Sequence, residues 1–195
     1  MKVKLFILQA LIIAGISTPA LALDFSADVV TVSNEGSASG KIFVSGNKVR
    51  MEMPGVITIA RIDQKVVWIL MPNEMMYMEQ SLDPKKVAGA TEKMEGEIER
   101  VAIGPETIDG RAATKYKVVY DTHPGQATVF QWVDQATGVP IKTTSEDGSW
   151  SVEYKNIITA APQGSLFEIP EGYAKFAMPN IKEMMEQASQ TVEME

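Results

Sequence analysis

Thioether sulfur is the most concentrated chemistry in this chain. Met71, Met75, Met76 and Met78 stand close together, and the sequence holds twelve methionines and no cysteine. Three uses compete for such a cluster. Thioethers are soft ligands that select Cu(I). Methionine is also flexible and polarizable, which suits a surface that adapts to apolar ligands. It also serves as plain core packing. On a strand Met76 and Met78 share one face while Met75 turns the other way with Tyr77, so a single copper cluster is split. The one histidine, His123, lies in a polar loop. One imidazole without thiolates cannot supply the three or four ligands of a zinc site. There is no G-x-S-x-G motif, no Walker motif and no dinucleotide fingerprint. No nucleophile, base and orienting group can be named together, so the chain reads as a non-enzyme with no cofactor and no metal.

Arg50 stands between apolar neighbours. It is either a solvent-face charge beside Glu52 or a cation at a cavity rim, pairing with a ligand's polar head or a partner carboxylate. Trp68, Trp132 and Trp150 read as core or cavity-wall aromatics.

The first 22 residues have the form of a leader. Lys2 and Lys4 precede the short apolar run 5–16, and Ala20-Leu21-Ala22 is a small-x-small cleavage pattern. Export into the periplasm is the expectation, with the mature chain starting at Leu23. No stretch is apolar for the roughly 18 residues that a spanning helix needs, so no integral membrane segment is expected. The formal net charge is −7 and becomes more negative without the two leader lysines. Such a chain lacks the basic footprint of a nucleic-acid binder. Without disulfides its stability must come from its core.

The elements that would position these residues are strands. Residues 47–53 alternate, with Lys48, Arg50 and Glu52 on one face and Val49, Met51 and Met53 on the other. Pro54-Gly55 turns the chain, residues 56–62 return, and 63–64 close a hairpin. Residues 65–71 are apolar on both faces and need cover on both. Pro72-Asn73 turns again before a strand at 75–79. Strands at 24–33 and 38–44 precede this meander. Strands at 96–103, 112–120, 126–133, 139–144 and 149–159 follow a loop at 80–95, which has room for a helical turn at 84–88. Asp109-Gly110 and Asp147-Gly148 mark hairpin turns. This spacing of strands and turns is that of an all-β sandwich or barrel. Residues 165–173 read as an extended segment anchored by Phe167, Ile169 and Tyr173. A helix at about 180–190 carries the stripe Ile181, Met184, Met185 and Ala188, with Asn180 as its N-cap.

The order of several short motifs resembles the superfamily of periplasmic LolA/LolB-like lipoprotein carriers. They are F-x-A-D-V-V, K-I-F-V, N-K-V-R-M-E-M-P, I-x-R-x-D, V-V-W-I-L-M-P, M-Y-M-E, W-V-D-Q-A-T-G-V-P-I-K and L-F-E-I-P-E-G-Y. Arg50, Pro54, Asp63, Trp68, Pro72 and Tyr77 match that pattern. The resemblance covers most of the chain after the leader and is nearest to small relatives with a methionine-rich C-terminal helix. It implies a mainly β, α+β fold: a curved antiparallel half-barrel of about eleven strands, with helices covering its concave face.

The expectation is therefore a single domain over 23–195 that binds a lipid or lipoprotein acyl chain in a hydrophobic concavity. The wall and rim would be Arg50, Met51, Met53, Trp68, Leu70, Met76, Met78, Trp132, Ile181, Met184 and Met185. The alternative is a structural or envelope-sensing protein of the same fold, its cavity closed by the C-terminal helix, with an envelope protein as partner.

Overall fold

A computed structural model of the chain describes residues 24–82, 96–122 and 125–176. The described residues form one open sheet of twelve strands. The strands are β1 (Phe25–Ser33), β2 (Gly36–Ser45), β3 (Lys48–Met53), β4 (Val56–Arg61), β5 (Val66–Met71) and β6 (Met76–Ser81). The second set is β7 (Glu97–Ile108), β8 (Arg111–Asp121), β9 (Gln126–Asp134), β10 (Pro140–Ser145) and β11 (Trp150–Ile158), with β12 (Ala174–Lys175) last. Their order across the sheet is β12-β6-β5-β4-β3-β2-β1-β11-β10-β9-β8-β7. Two meanders thus run outward from the central β1–β11 pair. Only β12, against β6, is parallel.

Turn chemistry sets these hairpins. Asp109 and Gly110 both have positive φ, 46° and 79°, which suits the twist of the flanking strands β7 and β8. β7 runs on to Ile108, past the expected end at residue 103, and carries Pro105 within it. Proline lacks a ladder donor, but β7 is an edge strand, where that donor is dispensable.

The main core lies on one face of the sheet and includes Phe25, Val29, Ile42, Met51, Ile141 and Tyr154. A second core, on the other face of β4 and β5, joins Ile59, Trp68 and Leu70 to Phe167. This corrects the expected architecture. Among the described residues there is no α-helix, and no helix covers a sheet face. Among the described residues the one helical element is the 3₁₀ turn Gly164–Phe167. Cover over β3–β6 comes instead from the extended segment 164–176, whose Phe167, Ile169 and Tyr173 do act as apolar anchors. A backbone strap can do this because Phe167, with Leu166, Ile169 and Tyr173 beside it, supplies the apolar surface that a helix would otherwise provide. The strand count is twelve, and the sheet is open. The expected helix at 180–190, the helical turn at 84–88, His123 and the leader lie outside the described residues.

Candidate functional site

Residues that pair across a ladder share a face. One cross-strand row runs Ile42–Met51–Thr58–Ile69–Met78. Next to it Met71 pairs with Met76. Burial falls along the row. Ile42 is 1% exposed and Met51 7%, while Thr58, Ile69 and Met78 are half-buried, as are Met53, Met71 and Met76. Met53 packs against the main core. Among the described residues, Ile69, Met71, Met76 and Met78 belong to none of the three core clusters. The sheet thus presents a half-open, methionine-rich apolar face toward its β6 end.

Arg50, Trp68 and Leu70 are on the opposite face. Their row is Phe43–Arg50–Ile59–Trp68–Glu79. Arg50 is buried, not solvent-facing. Its Nε donates to Glu52 Oε1 at 2.6 Å and its Nη1 to the Leu166 carbonyl at 2.9 Å. Arg61 works beside it. Its Nε and Nη2 donate to the Asp63 carboxylate at 2.9 and 2.8 Å. Its Nη1 reaches Glu168 Oε1 at 2.6 Å and the Phe167 carbonyl at 3.3 Å. Its guanidinium also lies 5.9 Å from the Trp68 ring centroid. Two arginines therefore hold successive carbonyls of the strap on either side of the Phe167 ring. A guanidinium suits this role because its fixed fork donates to several acceptors at once.

Further along the strap, Trp68 Nε1 donates to Glu79 Oε2 at 3.1 Å, and Lys175 Nζ donates to Glu79 Oε1 at 2.6 Å. The sequence-expected site residues are thus divided. Met51, Met53, Met76 and Met78 lie on one face, and Arg50, Trp68 and Leu70 on the other. Trp132, on β9 and separated from β5 by six strands, shares the main core with Met51 and Met53 but reaches neither Trp68 nor the β6 methionines. Its Nε1 donates to Glu106 Oε2 at 2.6 Å, and Lys115 Nζ sits 4.7 Å from its ring centroid. Ile181, Met184 and Met185 lie outside the described residues.

Ile59, Arg61 and Glu168 were not among the expected site residues, although the motifs I-x-R-x-D and L-F-E-I-P-E-G-Y contain them. A signal was present for Arg61. Arg50-x-Glu52 and Arg61-x-Asp63 share an i, i+2 spacing, which on a strand sets cation and carboxylate on one face. For Glu168 the sequence carries no such signal, because its partner is more than a hundred residues away.

The hydrogen bonds from Arg61 outweigh burial and hold the Asp63 carboxyl below its ordinary value. A carboxylate depressed on folding adds stability that is complete above its unfolded pKa, about 3.9, and is lost as pH falls through the folded value. The urea midpoint should therefore decline on acidification below about pH 4. Asp63→Asn should flatten part of that decline. An unchanged slope in the variant would show that the Arg61–Asp63 pair does not contribute to it.

No protein-family model and no curated protein matches the chain. Solved structures do. The MucA/MucB complex of Pseudomonas aeruginosa is 16% identical over 80% of this chain and 58% of that one, with a TM-score of 0.48. LprF from Mycobacterium bovis is 14% identical over 78% of this chain and 90% of that one, TM-score 0.45. A LolA superfamily protein from Nitrosomonas europaea is 12% identical over 78% and 92%, TM-score 0.34. The superfamily that the sequence motifs resemble is thus among the structures similar to this chain. The chain spans less than two thirds of the MucB chains it matches. Among the described residues no helix is long and apolar enough to cross a membrane. These likenesses concern the fold and bring no ligand or partner with them.

Proposed function

We propose that this protein is an exported, non-enzymatic binding module that takes the acyl chain of a lipid or lipoprotein on its methionine-rich sheet face. The observation that carries this reading is the falling burial along Ile42–Met51–Thr58–Ile69–Met78. Half-open apolar side chains continue a fully buried row, and an apolar ligand laid there would extend the core. Flexible thioethers adapt to chains of differing shape. The leader-like pattern at 1–22 supports export of the module into the periplasm.

A fluorescent fatty-acid probe tests it on the full chain. Met76→Glu and Met78→Glu should each weaken probe binding ~10-fold or more, because a charge in an apolar site costs unless paired. Ile158→Glu, at an exposed isoleucine of β11, should leave binding unchanged. The double substitution Met76→Leu, Met78→Leu should keep the probe, since the site uses apolar surface rather than sulfur ligation. Equal binding by wild type and both glutamate variants would sink the reading.

One observation favours a second reading, a structural or envelope-sensing protein closed by its own chain. The opposite face of the same strands is already filled by Phe167 and its neighbours. Deleting residues 180–195 separates the two. A binding module keeps its fold and binds the probe. A full-length protein that binds no probe, and a truncation that unfolds, would favour the closed structural reading.

A further inference from the structure

β12, where the strap joins the sheet edge, starts on a hydrogen bond to Met75. This residue ends the turn between β5 and β6 with a left-handed φ of 51°. It is 46% exposed, whereas Met51 is buried and Met53, Met71, Met76 and Met78 are half-buried. Its thiomethyl group lies against Gly172, where an added Cβ would stand 3.2 Å from Met75 Cε. Its carbonyl accepts the hydrogen bond from Ala174 N at 2.9 Å that starts β12. β12 is two residues long; Phe176 N donates to Tyr77 O at 2.7 Å just beyond it, and Lys175 Nζ donates to Glu79 Oε1 at 2.6 Å. A short edge strand of this kind belongs to the least stable part of a fold.

With no cysteine in the chain, two-electron oxidants have only thioethers as sulfur targets. The geometry points to Met75 as an oxidation site whose sulfoxide releases β12 from the sheet edge. The oxidant is a peroxide. The Met75 sulfur lone pair attacks one oxygen of hydrogen peroxide, the O–O bond breaks as the S–O bond forms, and the departing hydroxide takes up the proton of the transferred oxygen and leaves as water. Sulfur loses two electrons and the peroxide gains them. The product is a polar, branched group in place of an apolar tip. It no longer fits against the Cβ-free surface of Gly172, and the turn that holds the Ala174 acceptor shifts with it. Phe167 is fully buried in the second core, against which Tyr173 also packs, and stays docked. The modification therefore acts on residues 172–176, whatever ligand the other face takes.

Hydrogen peroxide titration of the full chain, read by peptide mapping and amide hydrogen exchange, tests this. Met75 should gain one oxygen before Met71, Met76 and Met78. The amides of Ala174 and Phe176 should then exchange ~10-fold faster, and a methionine sulfoxide reductase should reverse both changes. Met75→Gln, a polar mimic, should raise that exchange without oxidant. Met75→Leu should resist it under the same peroxide treatment, which subtracts oxidation of every other methionine. The proposal is overturned if Met75 oxidises after its neighbours. It is equally overturned if its sulfoxide leaves the two amides unchanged, or if the Met75→Leu protein shows the same acceleration.

Discussion

Phe167→Ala is expected to destabilise the protein by about 3–5 kcal/mol, the usual cost of removing a buried phenylalanine ring. Phe167 has no exposed surface and is the only residue of the strap in the fully buried part of the second core. Its ring covers Ile59, Trp68 and Leu70, which no other described segment covers from that side. Losing it opens a cavity and frees the strap's anchoring point. Arg50 and Arg61 would then hold carbonyls on a segment without its plug. The loss is a fifth or more of the roughly 5–15 kcal/mol stability of a typical domain. Chemical denaturation monitored by Trp68 fluorescence gives the magnitude, and limited proteolysis within 159–176 shows whether the strap comes away. A change below about 1 kcal/mol would mean that the strap rests on the sheet without supporting it.

Gly40→Ala should cost on the order of 3 kcal/mol, although a glycine-to-alanine change at a compatible site usually stabilises. Gly40 pairs with Val29 on the main-core face. A Cβ there would overlap the Glu52 carbonyl oxygen and stand 2.6 Å from Met53 Sδ. The methionine can swing aside, but the carbonyl belongs to the neighbouring backbone. β2 and β3 would have to separate just where Glu52 receives Arg50. Urea unfolding of the variant is the measurement. A stability equal to wild type would show that β3 yields more easily than its position between two cores implies.

Eleven strands were legible because each alternates or is apolar over its length and ends at a turn dipeptide. Alternation placed Arg50 opposite Val49 and Met51, and the register agrees. Two readings stayed open for the arginine's own side, solvent or a cavity rim. The strap that buries it arrives from residues 164–176, and no local pattern around Arg50 can announce so distant a cover. The two-faced apolar run at 65–71 did announce a need for cover on both sides. It could not say that one side would be met by a phenylalanine-bearing strap rather than a helix. β12 was invisible because two residues have no period. The site residues were grouped by type, and register then divided them, since Trp68 and Met78 fall on opposite faces of adjacent strands.

The central β1–β11 pair has a consequence for how the chain reaches this state. Each meander can assemble from neighbouring hairpins, whose contacts close short loops. Val29 and Tyr154, by contrast, pair across well over a hundred residues. Closing such a loop costs entropy before the contact repays it, so this seam is expected to form late in folding. During synthesis the first strand is made early and waits longest, with Phe25, Ala27 and Val29 facing a neighbour that does not yet exist. Until the last long strand arrives, that open edge is the part of the nascent protein most exposed to wrong partners.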